Sequence, residues 1–180
     1  MNRRTTDALG SLGLGTPPGT AVLIRDLGSA QAPVRNYARH RLVAAGHEAI
    51  PALTWALEHA SIYGRSQAAK ALGEIGDPVA APALVNALDD NCVSVHLMAT
   101  EALVALGKPA LSALLKALII RPGSYWLRRG TQIVLRAEVH QHRRSLIQPL
   151  VQALEAVDGD AAIAAAAQQV WDALKTQENS

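Results

Sequence analysis

The side chains best able to do chemistry are gathered in one part of the chain. Residues 124–144 read SYWLRRGTQIVLRAEVHQHRR and hold five arginines, two histidines and a tryptophan against one glutamate. Guanidinium groups in such number suit an anionic partner, and paired imidazoles suit a metal. The metal reading is weak, because His140 and His142 are two apart and a helix would turn them about 200° from one another. On the charge reading, the docking residues for an acidic partner would be Arg121, Arg128, Arg129, His140, His142, Arg143 and Arg144. A solvated basic loop accounts for the same residues more simply.

Other reactive types are scattered. His47-Glu48 follows Gly46 at a turn, where it serves the start of the next helix more readily than it binds a metal without further ligands. The single cysteine, Cys92, lies in the turn between Leu88 and Ala99, with no basic or helix-terminal setting to activate its thiol, and reads as a small apolar filler. One cysteine makes no internal disulfide, so nothing here asks for an oxidising compartment. There is no Ser/His/Asp ordering, glycine-rich phosphate loop or paired-cysteine metal spacing. Neither a cofactor, a metal nor a catalytic residue is therefore expected.

The 180 residues are 49% hydrophobic but only 3% aromatic, with no Phe. That composition fills the core of one ordinary domain, and its Ala and Leu suit closely packed helices better than sheets. Net charge is +2 and the sequence pI about 8.9, which argues against a general polyanion binder. The six Arg and one Glu between Arg121 and Arg144 make a local +5, so the remaining 11 basic and 14 acidic residues carry −3. The N-terminal MNRRTTDALGSL lacks the apolar segment of a signal peptide, and no apolar run approaches the roughly 20 residues of a membrane span. The expectation is a cytoplasmic protein with no membrane partner.

What must position these residues is a repeat. ALGSLG (8–13), RLVAAG (41–46), ALGEIG (71–76) and ALVALG (102–107) share Leu at the second place and Gly at the sixth, with starts 33, 30 and 31 residues apart. Between them recur pairs spaced by four: Leu23 and Leu27, Leu53 and Leu57, Leu84 and Leu88, Leu114 and Leu118, Leu150 and Leu154. Each unit reads as two helices. In the first, Ala38, Ala68 and Ala99 stand four before a Leu, on one face, where a small residue lets the neighbouring helix come close. Gly46, Gly76 and Gly107 fit the position after a helix, where positive φ is needed. Pro78 and Pro109 then open the next helix, with Asp77 as cap. No unit of this kind buries its apolar face alone, so the expected fold is all-α, an α-solenoid of about five hairpins with a C-terminal capping helix.

The expected units run over 5–28, 34–60, 64–90, 95–120 and 126–157, with a last, unpaired helix at 161–175 and frayed ends at 1–4 and 176–180. Residues 5–13 are the tail of a worn first unit, and GLGTPPGT (13–20) is a connecting loop. The arginine-rich stretch is then a modified repeat, in which Thr131 and Leu135 stand where Ala68 and Leu72 stand, and its two turns are lengthened. Two residues after the first Leu of each second helix come Arg25, Trp55, Asn86, Lys116 and Gln152; four of the five are polar, so the column faces solvent and Trp55 is out of place in it. It is either an interface anchor or a half-buried side chain leaning on the next helix. The neighbouring column, Glu58, Asp89 and Glu155 broken by Ile119, is acidic and would favour a basic or mixed peptide over nucleic acid.

The segment GRSQAAKALGEIGDPVAAPALVNALDD (64–90) resembles the HEAT repeat in the short form of phycobilisome-lyase-type proteins, and the resemblance extends over roughly residues 5–174. In those families an Arg follows a Val at the start of the first helix; here Val34-Arg35 matches, Arg65 matches in part, and His96 and Arg128 occupy the same column. The resemblance implies a right-handed superhelix whose second helices line the concave side. It therefore implies a protein-binding module that holds a partner protein or peptide on Arg25, Trp55, Asn86, Lys116 and Gln152, with no catalysis of its own. The solenoid ends would be the surfaces through which copies pair. Deoxyhypusine hydroxylases, built of similar repeats, bind iron through His-Glu pairs in their first helices. The matching places hold Asn36-Tyr37, Ser66-Gln67, Leu97-Met98 and Arg129-Gly130, so that activity is not implied. A bilin lyase subunit is the alternative on resemblance alone, and a nucleic-acid binder like the HEAT-like DNA glycosylases is a more distant one.

Overall fold

The computed structural model describes residues 19–138, 144–156 and 159–178; the expected first helix over 5–13 lies outside them. Among the described residues there is helix and no strand. In chain order they form α1 (Thr20–Leu27), α2 (Ala32–Ala45), α3 (Ile50–His59), α4 (Ile62–Ile75), α5 (Ala81–Ala87), α6 (Val93–Leu106), α7 (Lys108–Ile120), α8 (Tyr125–Glu138), α9 (Arg144–Glu155) and α10 (Asp160–Glu178). Short 3₁₀ turns at Gly46–Ala49 and Pro78–Ala80 precede α3 and α5.

The stop and start chemistry of the sequence is in place. Gly46, Gly76 and Gly107 have φ of 60°, 71° and 64°, values that cost a side chain its usual conformation. The Asp77 carboxylate accepts a hydrogen bond from the Val79 amide at 2.9 Å, closing the turn that Pro78 opens. His47 does not serve its own helix start as expected. Its Nδ1 lies 2.7 Å from Asp77 Oδ2, so it reaches the equivalent turn of the next unit. That bond, and then the Val79 amide, hold the Asp77 carboxyl below its ordinary pKa.

Two layers result. The first helices α2, α4, α6 and α8 pack side by side, the second helices α1, α3, α5 and α7 form the other layer, and each second helix packs on the first helix that follows it. Leu42, Leu53, Leu72, Leu84, Leu103 and Leu114 fill the space between, all fully buried, each stabilising the fold by about 1.5–3 kcal/mol against its exposed state. Ala38, Ala68 and Ala99 are fully buried beside them. Helices α4 and α6 come close enough that a Cβ on Gly73 would fall 2.7 Å from Ala102 Cβ. Thr131, standing in the alanine column, is fully buried with its hydroxyl donating to the Leu127 carbonyl at 2.8 Å.

The C-terminal end departs from the expected hairpin stack. The helix packed along α7 is α10, not α9. Asp160, at the start of α10, meets Arg128 and approaches Gly123 in the turn after α7, while Trp171 lies at Lys116 one turn back along α7. Helix α10 therefore runs antiparallel to α7 and closes the end of the array as the expected capping helix; it is paired with α7 and α9, and it continues beyond residue 175. Its face of Ile163, Ala167, Val170 and Leu174 is buried.

Candidate functional site

The arginine column belongs to the scaffold. Each member reaches the turn before its own helix, where the preceding second helix leaves carbonyls without intrahelical partners. Arg35 Nη1 donates to the Ser29 and Ala30 carbonyls, both at 2.8 Å. Arg65 Nη1 donates to the Ala60 carbonyl at 3.1 Å, its Nε and Nη2 grip Asp90 at 2.7 and 2.9 Å, and Nη2 also reaches Asn91. Hydrogen bonding to Asp90 raises the Arg65 pKa above its usual value. Arg128 repeats the pattern with the Pro122 carbonyl and Asp160. His96 breaks it. Its ring is 4% exposed, its Nδ1 has no partner, and Trp126 packs against it edge-on with centroids 4.2 Å apart.

The basic stretch is largely tied to carboxylates. Arg121 donates to Asp89 at 2.8 Å and to Asn86 Oδ1 at 3.0 Å, Arg128 pairs with Asp160, and Arg136 lies 3.4 Å from Glu155. Arg129 is exposed. His140, His142 and Arg143 lie outside the described residues, as does the side chain of Arg144. Sequence reasoning missed these pairings because the partners of Arg121 and Arg128 are each 32 residues away. It missed one more: Arg39, 7% exposed, bonds Glu74, Gln67 and Asn36 and ties α2 to α4.

Cys92 needs a correction. It is the cap residue of α6, with Sγ 3.3 Å from Ser94 Oγ, and that hydrogen bond leads the effects that lower its thiol pKa. The turn that hides a helix start in the sequence is short, so the helix-terminal setting went unseen. Among the described residues no three His, Cys, Asp or Glu side chains gather as a metal site.

Against this committed scaffold stands the face of α3, α5 and α7. Three concavities meet there, and Asn86 lines all of them. One, of about 520 Å³, lies between α3 and α5 and is lined by Pro51, Trp55, Glu58, Val79 and Pro82. A second, of about 350 Å³, lies between α5 and α7 and is lined by Val85, Pro109, Ser112, Lys116, Ile120 and Arg121. Trp55 is half-buried. Its ring stacks on His59 at 4.9 Å and 8°, one helical turn on, so it joins the two readings of the sequence: packed below, open to the groove at its rim. Val79 and Ile120 are 63% and 78% exposed at the edges of this surface.

Of the five column residues, Trp55, Asn86 and Lys116 come together here. Arg25 is exposed on α1 and pairs with its neighbour Asp26 at 2.8 Å, outside these concavities. Gln152 is exposed on α9, which α10 separates from α7, so it leaves the column. The acidic column is likewise uneven. Asp89 is occupied by Arg121 and the Ser124 hydroxyl, and Glu155 by Arg136, while Glu58 has only His59 at 4.0 Å.

Residues 50–136 match the HEAT repeats family, a span that contains α3 to α7 and most of α8. No curated protein matches the chain. No helix among the described residues is long and apolar enough to cross a membrane.

Proposed function

We propose that this HEAT-like repeat protein is a non-catalytic interaction module that holds a partner protein or peptide in the groove of its second helices. HEAT repeats commonly mediate protein–protein interaction. The observation that carries the reading is the joining of the concavities at Asn86 on rigid helices, with Trp55 half-open among Pro51, Val79 and Pro82. A preformed surface of this kind needs little ordering on binding, and a Trp at its centre is a usual energetic anchor. The bilin-lyase alternative rests on resemblance alone. The nucleic-acid alternative is weakened by the pairing of Arg121 and Arg128 with Asp89 and Asp160, which removes the positive field such binding needs.

The test is affinity capture from native lysate with the wild-type chain and with Trp55→Ala, identified by mass spectrometry and accompanied by thermal melts. The expected outcome is loss of the captured partner by at least about tenfold, with the melting temperature nearly unchanged. Unchanged capture with a lowered melting temperature would sink the reading and return Trp55 to the core.

A further inference from the structure

The two larger concavities differ in charge. Beside Trp55 stands Glu58, 62% exposed at its side chain, with the His59 ring at 4.0 Å and no Lys or Arg paired with it among the described residues. In the neighbouring concavity stands Lys116, exposed, with no carboxylate partner among the described residues; its Nζ lies 4.8 Å from the centre of the Trp171 ring. Around them the other charges are neutralised in place: Asp89 by Arg121, Asp90 by Arg65. The groove therefore offers one uncompensated negative group in one concavity and one uncompensated positive group in the next.

We infer that the groove takes an extended segment of a partner protein that carries a basic and an acidic side chain about six residues apart. This rests on the groove being the docking face. The basic side chain lies with its aliphatic stem against the apolar Trp55 ring and its head at Glu58, where the carboxylate favours a cation. The acidic side chain reaches Lys116 and the Ser112 hydroxyl in the next concavity. Glu58 on α3 and Lys116 on α7 stand two helix spacings apart with α5 between them; at about 10 Å per spacing and about 3.3 Å per residue of an extended chain, the two charges are about six residues apart. Between the two, Asn86 has its Oδ1 engaged by Arg121, leaving its amide hydrogens to donate to a main-chain carbonyl of the crossing segment. The opposed charges also fix the direction in which the segment lies, since a reversed segment meets like charge at both ends.

The experiment pans phage-displayed random octapeptides on the immobilised full chain and measures the enriched peptides by fluorescence anisotropy. The expected enrichment is Lys or Arg about six residues from Asp or Glu, in one fixed order. Glu58→Lys and Lys116→Glu should each weaken binding roughly tenfold, and the double variant should bind the peptide with the two charges exchanged. Peptides without the charge pair, or affinities indifferent to both reversals, overturn the inference; if Trp55→Ala still abolishes that binding, the groove stands as the docking face. Binding indifferent to Trp55→Ala overturns both. An absence of enriched peptides overturns the extended-segment inference alone, and the lysate capture then decides the groove. Thermal melts of each variant separate lost binding from lost folding.

Discussion

Arg65 and Lys116 are both cations on helices of the same repeat array, yet Arg65 commits every group of its guanidinium to Ala60, Asp90 and Asn91 while Lys116 meets no carboxylate among the described residues. The difference is one of position. The start of a first helix faces the carbonyls left over by the preceding second helix, and an arginine there satisfies them and draws in an acid from the next turn. The second-helix face has no such leftovers, because its polar side chains project from helix interiors whose backbone is already paired. Polar groups on the first edge build the stack, and those on the second face stay open to solvent, which is the surface the proposed docking uses.

Breaking the committed edge should cost most. Arg65→Ala leaves Asp90, whose side chain is 11% exposed, without its counter-ion, and should lower unfolding free energy by about 3 kcal/mol in urea titration. A Lys116→Ala control should change it by less than about 0.5 kcal/mol. Equal losses in the two would erase the contrast.

A smaller effect, in the opposite direction, is expected at the position where the arginine column fails. His96 buries an imidazole with Nδ1 unpaired, and an apolar side chain there removes an unmet polar group while keeping contact with Trp126. His96→Leu should raise stability by about 1 kcal/mol in the same titration. A loss would mean that His96 is satisfied in solution and belongs with the committed groups.

The smallest effect concerns the solvent-facing link between turns. The Asp77 pKa is lowered in the folded chain, chiefly by His47 and then by the Val79 amide. A carboxyl depressed in this way contributes stability above its unfolded pKa, near 3.9, and loses it as pH falls through the folded value. The melting-temperature difference between wild type and Asp77→Asn should therefore shrink as pH is taken below about 4. A difference that stays constant down to pH 2 would remove the link from the account.

How much of this was legible depended on distance along the chain. The Gly76–Asp77–Pro78 turn and the Leu53–Leu57 and Leu84–Leu88 stripes are local patterns whose partners lie within a few residues, and each stands where the pattern put it. Trp55, Asn86 and Lys116 were legible as a column for the same reason, since regular repeats stack in register. Gln152 obeyed the same spacing and was misplaced, because its place depended on whether α9 or α10 would pack along α7. Arg121 and Arg128 looked like one basic cluster, and their neutralisation by Asp89 and Asp160 could be seen only once the chain had closed 32-residue loops.

By itself, then, the sequence determined an all-helical repeat and the order of its turns, because hydrophobic period, glycine and proline act over one or two helical turns. Tertiary structure alone decided which charges remain uncompensated on the groove and which helix closes its end. Those depend on which distant side chains meet, and a 3.6-residue period records only the face a residue lies on, not what that face will touch.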